Sequence, residues 1–369
     1  MKKILYITTV SGTINAFLVP HIEMLLENGY KVDCATSINI EISKKLTDKG
    51  VKVFNIPFNR NPLNISNIKA FKELINIQKE NNYDIIHVHT PVASIYGRLL
   101  KLRFSKLKTI YTVHGYHFFK GGPKIGWLVY YPIEKIMAKL TDITITINEE
   151  DYEITKKKLR PGKCYWINGV GIDLNKYKPL SKEKKQQKRD ELALKDDDFI
   201  VIMIAELNKN KNQIQLIKAI EVLKDEYPNI KAICVGAGPC FDLLQKEINE
   251  RFLQDNVKLL GFRTDINELI NISNIGVLLS YREGLPRNIM EIIANGKNVI
   301  TTNIRGCKDI NCNNNIGKMV NIGDYKQTAK FILEYYNNSE KIEKNNFCEK
   351  YSIDNINKQL RKILEEEML

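Results

Sequence analysis

Apolar positions along the chain fall into short continuous runs that alternate with longer stretches in which apolar residues recur at helical spacing. Lys3 to Thr9 reads as a first strand, Val10 to Asn15 as a loop, and Ala16 to Asn28 as an amphipathic helix that Gly29 ends. Tyr30 to Thr36 then predicts a strand, Ile40 to Lys49 a helix, Val51 to Ile56 a strand, Asn64 to Asn81 a helix and Ile85 to His89 a strand. In the second half Phe199 to Ile204, Lys231 to Val235, Val257 to Leu260, Ile275 to Leu279 and Val299 to Thr302 read as strands, and Glu334 to Leu369 as helical and charged. Leu285 to Ala294 has helical spacing; Pro286 suits its first turn, where a missing N–H costs nothing, and Asn295-Gly296 is a stop signal. Such alternation predicts an α/β fold with doubly wound parallel sheets, whose ligands lie at the carboxyl ends of the strands.

The chain has 369 residues, too many for one ordinary core, and 43% of them are apolar, enough for two. The turn-forming segment Asn168 to Asp173 and the charged run Lys182 to Asp198 place a boundary near Gly171 to Pro179. The expected domains are therefore 1–172 and 173–369, with the last helix able to cross back to the first. No apolar run approaches the ~18 residues of a membrane span, and Met1-Lys2-Lys3 leads straight into a strand rather than a secretion signal. Seven cysteines without a C-x-x-C pair suggest free thiols in a reducing compartment. Cys307 and Cys312 lack a nearby histidine, and no metal site is expected.

The net charge of +13 is uneven: residues 1–170 carry +11 and the remainder +2. A basic first half suits an anionic partner, either a membrane surface or a phosphorylated acceptor. No nucleic-acid motif accompanies the charge, so nucleic acid is not an expected partner. Arg98 to Lys108 alternates basic and apolar residues, and Phe118 to Met137 adds Trp127, Tyr130 and Tyr131. One reading is an interfacial patch with aromatics at headgroup depth and Lys/Arg on anionic lipid; the other is a sheet-packed helix with a basic outer face.

Candidate chemistry gathers where strands end. Glu283 lies in the turn before the Leu285 to Ala294 helix and Glu291 lies within it. A helix start offers unpaired N–H groups to phosphate, and two flanking carboxylates suit hydroxyls on either side, as in a nucleotide sugar. The alternative is that both are ordinary polar positions on a surface helix. Gly12 sits at the end of the first strand, Gly236 and Gly238 follow another, and Gly261-Phe262-Arg263 a third. His87, His89, His114 and His117 also lie at strand ends, where histidine suits hydroxyls and phosphates or is simply bonded to backbone. Asp196-Asp197-Asp198 directly precedes a strand and reads as a solvated turn.

The string Glu283 to Glu291, E-G-L-P-x-x-x-x-E, resembles the signature of the family-four retaining glycosyltransferases, which have the two-domain GT-B fold. The resemblance extends over nearly the whole chain, through TVHGYHFF, NGVGIDLNKY, AELNKNKN and FRTDINEL, and is most similar to bacterial enzymes that build capsule, exopolysaccharide or lipid-linked glycans. It implies that Glu283 contacts the donor sugar, Glu291 the ribose, and the backbone of Gly284, Leu285 and Pro286 the diphosphate. It also implies that His114 lies near the donor sugar, that Gly12 faces acceptor and donor phosphate, and that Gly236, Gly238, Phe262 and Arg263 line the nucleotide. The donor would be a nucleotide sugar, UDP-linked by family habit, and the acceptor a glycan on undecaprenyl diphosphate at the inner face of the membrane. That places the protein in the cytoplasm, peripheral on anionic lipid, with no cofactor. The resemblance implies an Arg and a Lys for the leaving diphosphate; the Lys is Lys211, but Glu206 stands at the Arg position, leaving Lys209 to supply the second charge. Two rival functions share these features: a UDP-sugar 2-epimerase, and a catalytically weak sugar-nucleotide-binding subunit of a membrane assembly.

Overall fold

The computed structural model describes residues 1–311, 316–338 and 347–368. Cys312 and the 339–346 part of the expected C-terminal helical stretch lie outside the described residues. Two compact units result, one comprising Met1–Gly171 with Ile353–Leu369 and the other Ile172–Ser352.

The first unit holds β1 (Lys3–Val10), β2 (Lys31–Ser37), β3 (Val53–Asn55), β4 (Ile85–Val88), β5 (Lys108–Val113), β6 (Ile143–Thr146) and β7 (Lys163–Trp166). Their order is β3-β2-β1-β4-β5-β6-β7, and every pairing is parallel. In the second unit β8 (Phe199–Ile204), β9 (Ile230–Val235), β10 (Val257–Leu259), β11 (Ile275–Leu278), β12 (Asn298–Thr302) and β13 (Gly317–Val320) lie in the order β10-β9-β8-β11-β12-β13, again all parallel. Helices cover both faces of such sheets, so central strands are apolar throughout, as in Ile200 to Met203, which is wholly buried. Each sheet reverses its winding once, between β1 and β4 and between β8 and β11, the point at which doubly wound sheets generally leave a crevice.

Two expected elements differ. Val10 to Asn15 is not a loop: the chain turns helical at Ser11, passes through a π-helical turn at Ile14–Leu18 and continues as the helix Val19–Glu27. The expected helix from Ile40 to Lys49 shrinks to Lys44–Thr47. Both changes have one cause. Ser11 Oγ donates to the Ile40 carbonyl at 2.6 Å, Asn15 Nδ2 donates to the Glu41 carbonyl at 2.7 Å, and the Ser43 N–H donates to Asn15 Oδ1 at 3.0 Å. Side chains of the first segment thus claim the backbone groups that a helix at Ile40 would need, an outcome local propensity does not register.

The chain leaves the first unit at Gly171 and re-enters it at Ile353. Gly171 has φ +78°, and a Cβ there would lie 2.7 Å from Ile353 Cα. The final helix, Ile353–Met368, then lies on the first unit and buries Ile356, Leu360, Ile363 and Leu364. Burial of that kind is worth roughly 1.5–3 kcal/mol per side chain before ordering costs. Polar contacts fix its register: His21 Nδ1 lies 2.7 Å from Asn357 Oδ1, and Lys163 Nζ lies 2.7 Å from Glu367 Oε1.

Arg98, expected in a basic surface patch, is instead part of the core. Its guanidinium donates to both Glu134 oxygens, at 2.8 and 3.2 Å, and lies 4.3 Å from the Tyr111 ring centre. Both partners are buried, a state the bidentate geometry makes tolerable. The aromatics expected at headgroup depth also turn inward: Trp127 and Tyr131 pack on buried Phe118, while Tyr130 stacks on His117. Arg98→Met, which strands the Glu134 carboxylate, is expected to cost about 3–5 kcal/mol in urea unfolding. Arg98→Met combined with Glu134→Leu should recover most of that loss, and a double variant no better than the single one would contradict the pairing.

Candidate active site

The loops that leave β8 and β11 carry the expected cations and the first carboxylate, and hydrogen bonds join them. The Tyr281 N–H donates to the Asn210 carbonyl at 2.8 Å, Asn210 Nδ2 to the Arg282 carbonyl at 3.0 Å, and Asn212 Nδ2 to the Leu279 carbonyl at 3.1 Å. Asn212 has φ 55°, the left-handed conformation that asparagine tolerates, and from it the helix Gln213–Leu223 starts. So held, Lys211 Nζ lies 2.6 Å from Glu283 Oε1, both side chains largely buried. Lys209 is exposed and lines a cavity of about 510 Å³ with Asn208, Tyr281, Leu243 and Leu244. Glu206 is also exposed and shapes the loop: Asn208 Nδ2 donates to its Oε2, and Gln213 Nε2 to its carbonyl, both at 2.9 Å.

After β11 the helix runs from Arg287 to Ala294, so Pro286 occupies the capping position with φ −75° and ψ 107° rather than the first turn. An extended ψ is the conformation a capping residue takes, and proline's missing N–H is no loss there. Gly284 and Leu285 lie just ahead of this helix start, where N–H groups and the helix dipole favour an anion. Glu291 lies one turn further on, buried, with Arg287 Nε at 2.9 Å from its Oε1. Burial raises its carboxyl above the usual range, and Arg287 and the Tyr177 hydroxyl pull the other way. Its surroundings are thus not those of an ordinary surface glutamate.

Gly236 and Gly238 follow β9, and both are required by close backbone approach. A Cβ on Gly236 would lie 2.1 Å from the Ala205 carbonyl oxygen, and one on Gly238 2.4 Å from that of Leu207. Phe262 stands 77% exposed after β10, while Arg263 turns away to Asp265 and Glu191, each at 2.6 Å from Nη2. In the first unit Gly12 donates its N–H to Asn39 Oδ1 at 3.2 Å at the end of β1. His114 follows β5, and its Nε2 lies 3.2 Å from His89 Nδ1. His89 in turn stacks on Tyr6, and His87 bonds Thr112 at 2.8 Å. Burial pushes His87 down to about 3 and His114 to about 4, with nearby His21 adding to both shifts, and it holds His89 well below its ordinary value. All three rings are therefore neutral at neutral pH.

Sequence reasoning missed Arg305 and Gly306. Buried Arg305 donates its Nε to the Glu283 carbonyl at 3.1 Å, and a Cβ on Gly306 would lie 2.1 Å from the Gly284 carbonyl oxygen. Both follow β12, the next strand end in the sheet, which is the signal that would have found them.

In this doubly wound unit a lysine and a carboxylate thus face each other across the switch point, next to a helix start. Residues 3–148 match the family described as glycosyl transferase 4-like, and residues 184–353 that described as glycosyl transferases group 1. A putative glycosyltransferase, EpsD, of Bacillus subtilis is 36% identical over 92% of this chain and 88% of its own length. A UDP-Gal:alpha-D-GlcNAc-diphosphoundecaprenol alpha-1,3-galactosyltransferase of Escherichia coli is 31% identical over 75% of this chain and 73% of its own. Among solved structures, sucrose-phosphate synthase from Thermosynechococcus elongatus superposes with a TM-score of 0.82 at 17% identity, over 99% of both chains. The chain belongs to this glycosyltransferase family and has the GT-B fold.

Gly306→Ala should disturb the Glu283 loop through a steric clash, because φ +76° adds strain that Gly323 shares at φ +82° in open space. We expect Gly323→Ala to cost about 1 kcal/mol and Gly306→Ala clearly more, with turnover lost only in the latter; equal thermal shifts would contradict the clash. The depressed histidines stabilise the fold above their unfolded value near 6.5, and that contribution is lost as pH falls towards about 4. Unfolding free energy should therefore drop on acidification by about 1.4 kcal/mol per pH unit for each titrating histidine, and His114→Gln should remove one proton's worth of that slope.

Proposed function

We propose that this glycosyltransferase moves one sugar from a UDP-linked hexose or N-acetylhexosamine to a glycan carried on undecaprenyl diphosphate, with retention of configuration, during surface polysaccharide assembly. The carrying observation is the Lys211–Glu283 pair across the β8/β11 switch point, 2.6 Å apart at the mouth of a helix start. In this reading Lys211 and the backbone N–H groups of Gly284, Leu285 and Arg287 receive the diphosphate and offset the charge that develops as it departs. Lys209, exposed on the rim of the neighbouring cavity, supplies the second charge that Glu206 does not. Glu283, released from Lys211 by the phosphates, accepts from the donor-sugar hydroxyls; Glu291, already buried as an acceptor, takes the ribose. His114, neutral, orients the sugar by hydrogen bonding. The first unit takes the acceptor, and the diphosphoundecaprenol acceptor named for the Escherichia coli relative supports its class. The protein works at the cytoplasmic face of the membrane, against anionic lipid and without a metal.

Release of nucleoside diphosphate from UDP-, GDP- and ADP-sugars, with and without short-chain undecaprenyl-diphosphate-sugar mimics and in EDTA, tests the reading. Acceptor-dependent, EDTA-insensitive release from a UDP-sugar is expected. Conversion of donor without acceptor would favour an epimerase, and binding without turnover a non-catalytic subunit, the reading that Glu206 favours. Lys211→Ala should lower kcat by about 10²–10³, and Lys209→Ala should raise the donor KM or lower kcat. If Lys209→Ala changes neither while Lys211→Ala loses both, Lys209 has no part in the charge offset.

A further inference from the structure

With Trp127 and Tyr131 turned inward, the outer face of the segment after β5 is aliphatic. Its π-helical turn Gly126–Tyr130 continues into the helix Tyr131–Met137. Ile125, Leu128, Val129, Ile133 and Ile136 recur along it at helical spacing and are exposed, Leu128 by 74%. Exposed Lys120, Lys124 and Lys139 flank this stripe. From Ile85 to Thr141 the chain holds one acidic residue, Glu134, and that one is buried on Arg98. Within the segment no exposed carboxylate accompanies the lysines; from outside it Glu150 meets the Lys120 N–H and Asp142 pairs with Lys101.

A second set lies ahead of and within the start of the helix Ser66–Asn81. Leu63 is 91% and Ile65 80% exposed, Ile68 is also exposed, and the exposed cations Arg60, Lys69 and Lys72 lie close to them in the chain, with Glu73 the first acid to follow. The crossovers β3 to β4, β4 to β5 and β5 to β6 step in one direction across the sheet. Right-handed connections then put their helices on one face, with all N-terminal ends beside the carboxyl ends of the strands. The helix Pro91–Leu99 packs between the other two. Both aliphatic sets consequently sit on the same face of the first unit, and Leu63, Ile65 and Ile68 lie at the end where Ile125, Leu128 and Val129 begin the longer stripe.

We infer that these two sets form a two-point docking surface for an anionic lipid bilayer, the aliphatic side chains entering the headgroup–acyl boundary and the lysines and arginine meeting lipid phosphates. Single exposed apolar residues are ordinary, whereas aliphatic stripes flanked by an excess of cations match a bilayer's apolar and anionic layers. The inference rests on the lipid-linked acceptor proposed above and names the surface that brings the enzyme to it. It replaces the aromatic patch expected from sequence with an aliphatic one.

Co-sedimentation of the full chain with phosphatidylcholine vesicles, with and without phosphatidylglycerol, tests it. Binding is expected to need phosphatidylglycerol and to weaken with salt. Leu128→Glu and Leu63→Glu should each lower partitioning about tenfold or more, and Lys120→Glu with Lys124→Glu should do likewise. Val222→Glu, at a half-exposed position of the second unit, should leave it unchanged. No binding by the wild type, or Leu128→Glu and Leu63→Glu binding as the wild type does, would overturn the surface. Transfer to a short water-soluble acceptor, run in parallel, should persist in Leu128→Glu. Transfer without vesicle binding defeats this inference alone, and vesicle binding without transfer defeats the functional reading alone.

Discussion

The Lys211–Glu283 ion pair depends on a constraint of parallel sheets. Because β8 and β11 are neighbours whose connections run outward in opposite directions, no helix crosses the gap at their carboxyl ends. Loops that would otherwise lie under a crossover are left to face each other, and Asn210, Asn212 and Tyr281 tie them together. A cation and an anion held there, largely out of water, attract far more strongly than they would on an open surface. Each also keeps the other from being stranded. Under the proposed function a diphosphate would bring its own negative charge to the lysine and free the carboxylate for a hydroxyl.

Around this pair the second unit spends glycine and buried arginine on backbone placement rather than on chemistry. Gly306 lets the turn after β12 press against the Gly284 carbonyl, and Arg305 holds the Glu283 carbonyl from the same turn. Gly236 and Gly238 bring the β9 loop equally close to the β8 loop. The first unit is built differently. Its core contains a neutral histidine stack on Tyr6 and a sealed Arg98–Glu134 pair. Charge is thereby neutralised inside while lysines accumulate outside.

Strand positions were legible because buried parallel strands are unbroken apolar runs: β4, β8, β9 and β11 fall within a residue or so of expectation. The turn of Glu283 and the helix of Glu291 were legible because strand, turn and helix signals coincide there. What was not legible depended on partners distant in sequence. Ser11 and Asn15 suppress the helix expected at Ile40 through bonds across 26 to 29 positions, and nothing local in either segment announces it. Arg98 looks like a surface cation until Glu134, 36 residues on, is placed against it. Trp127, Tyr130 and Tyr131 carried an interfacial composition, but the large flat rings gain more area on Phe118 and His117 than in contact with solvent. Arg305 and Gly306 act on a backbone that sequence spacing does not locate.

The central claim is that Lys211 belongs to the diphosphate and Glu283 to the sugar, each holding the other's place when the site is empty. Calorimetric titration of Glu283→Ala with UDP and with the UDP-sugar tests this most directly. UDP is expected to bind the variant at least as tightly as it binds the wild type, because Lys211 no longer has to give up a partner, while the UDP-sugar loses about tenfold or more. Equal losses for both ligands would mean that Glu283 supports the site as a whole, and the division of roles between the two residues would be wrong.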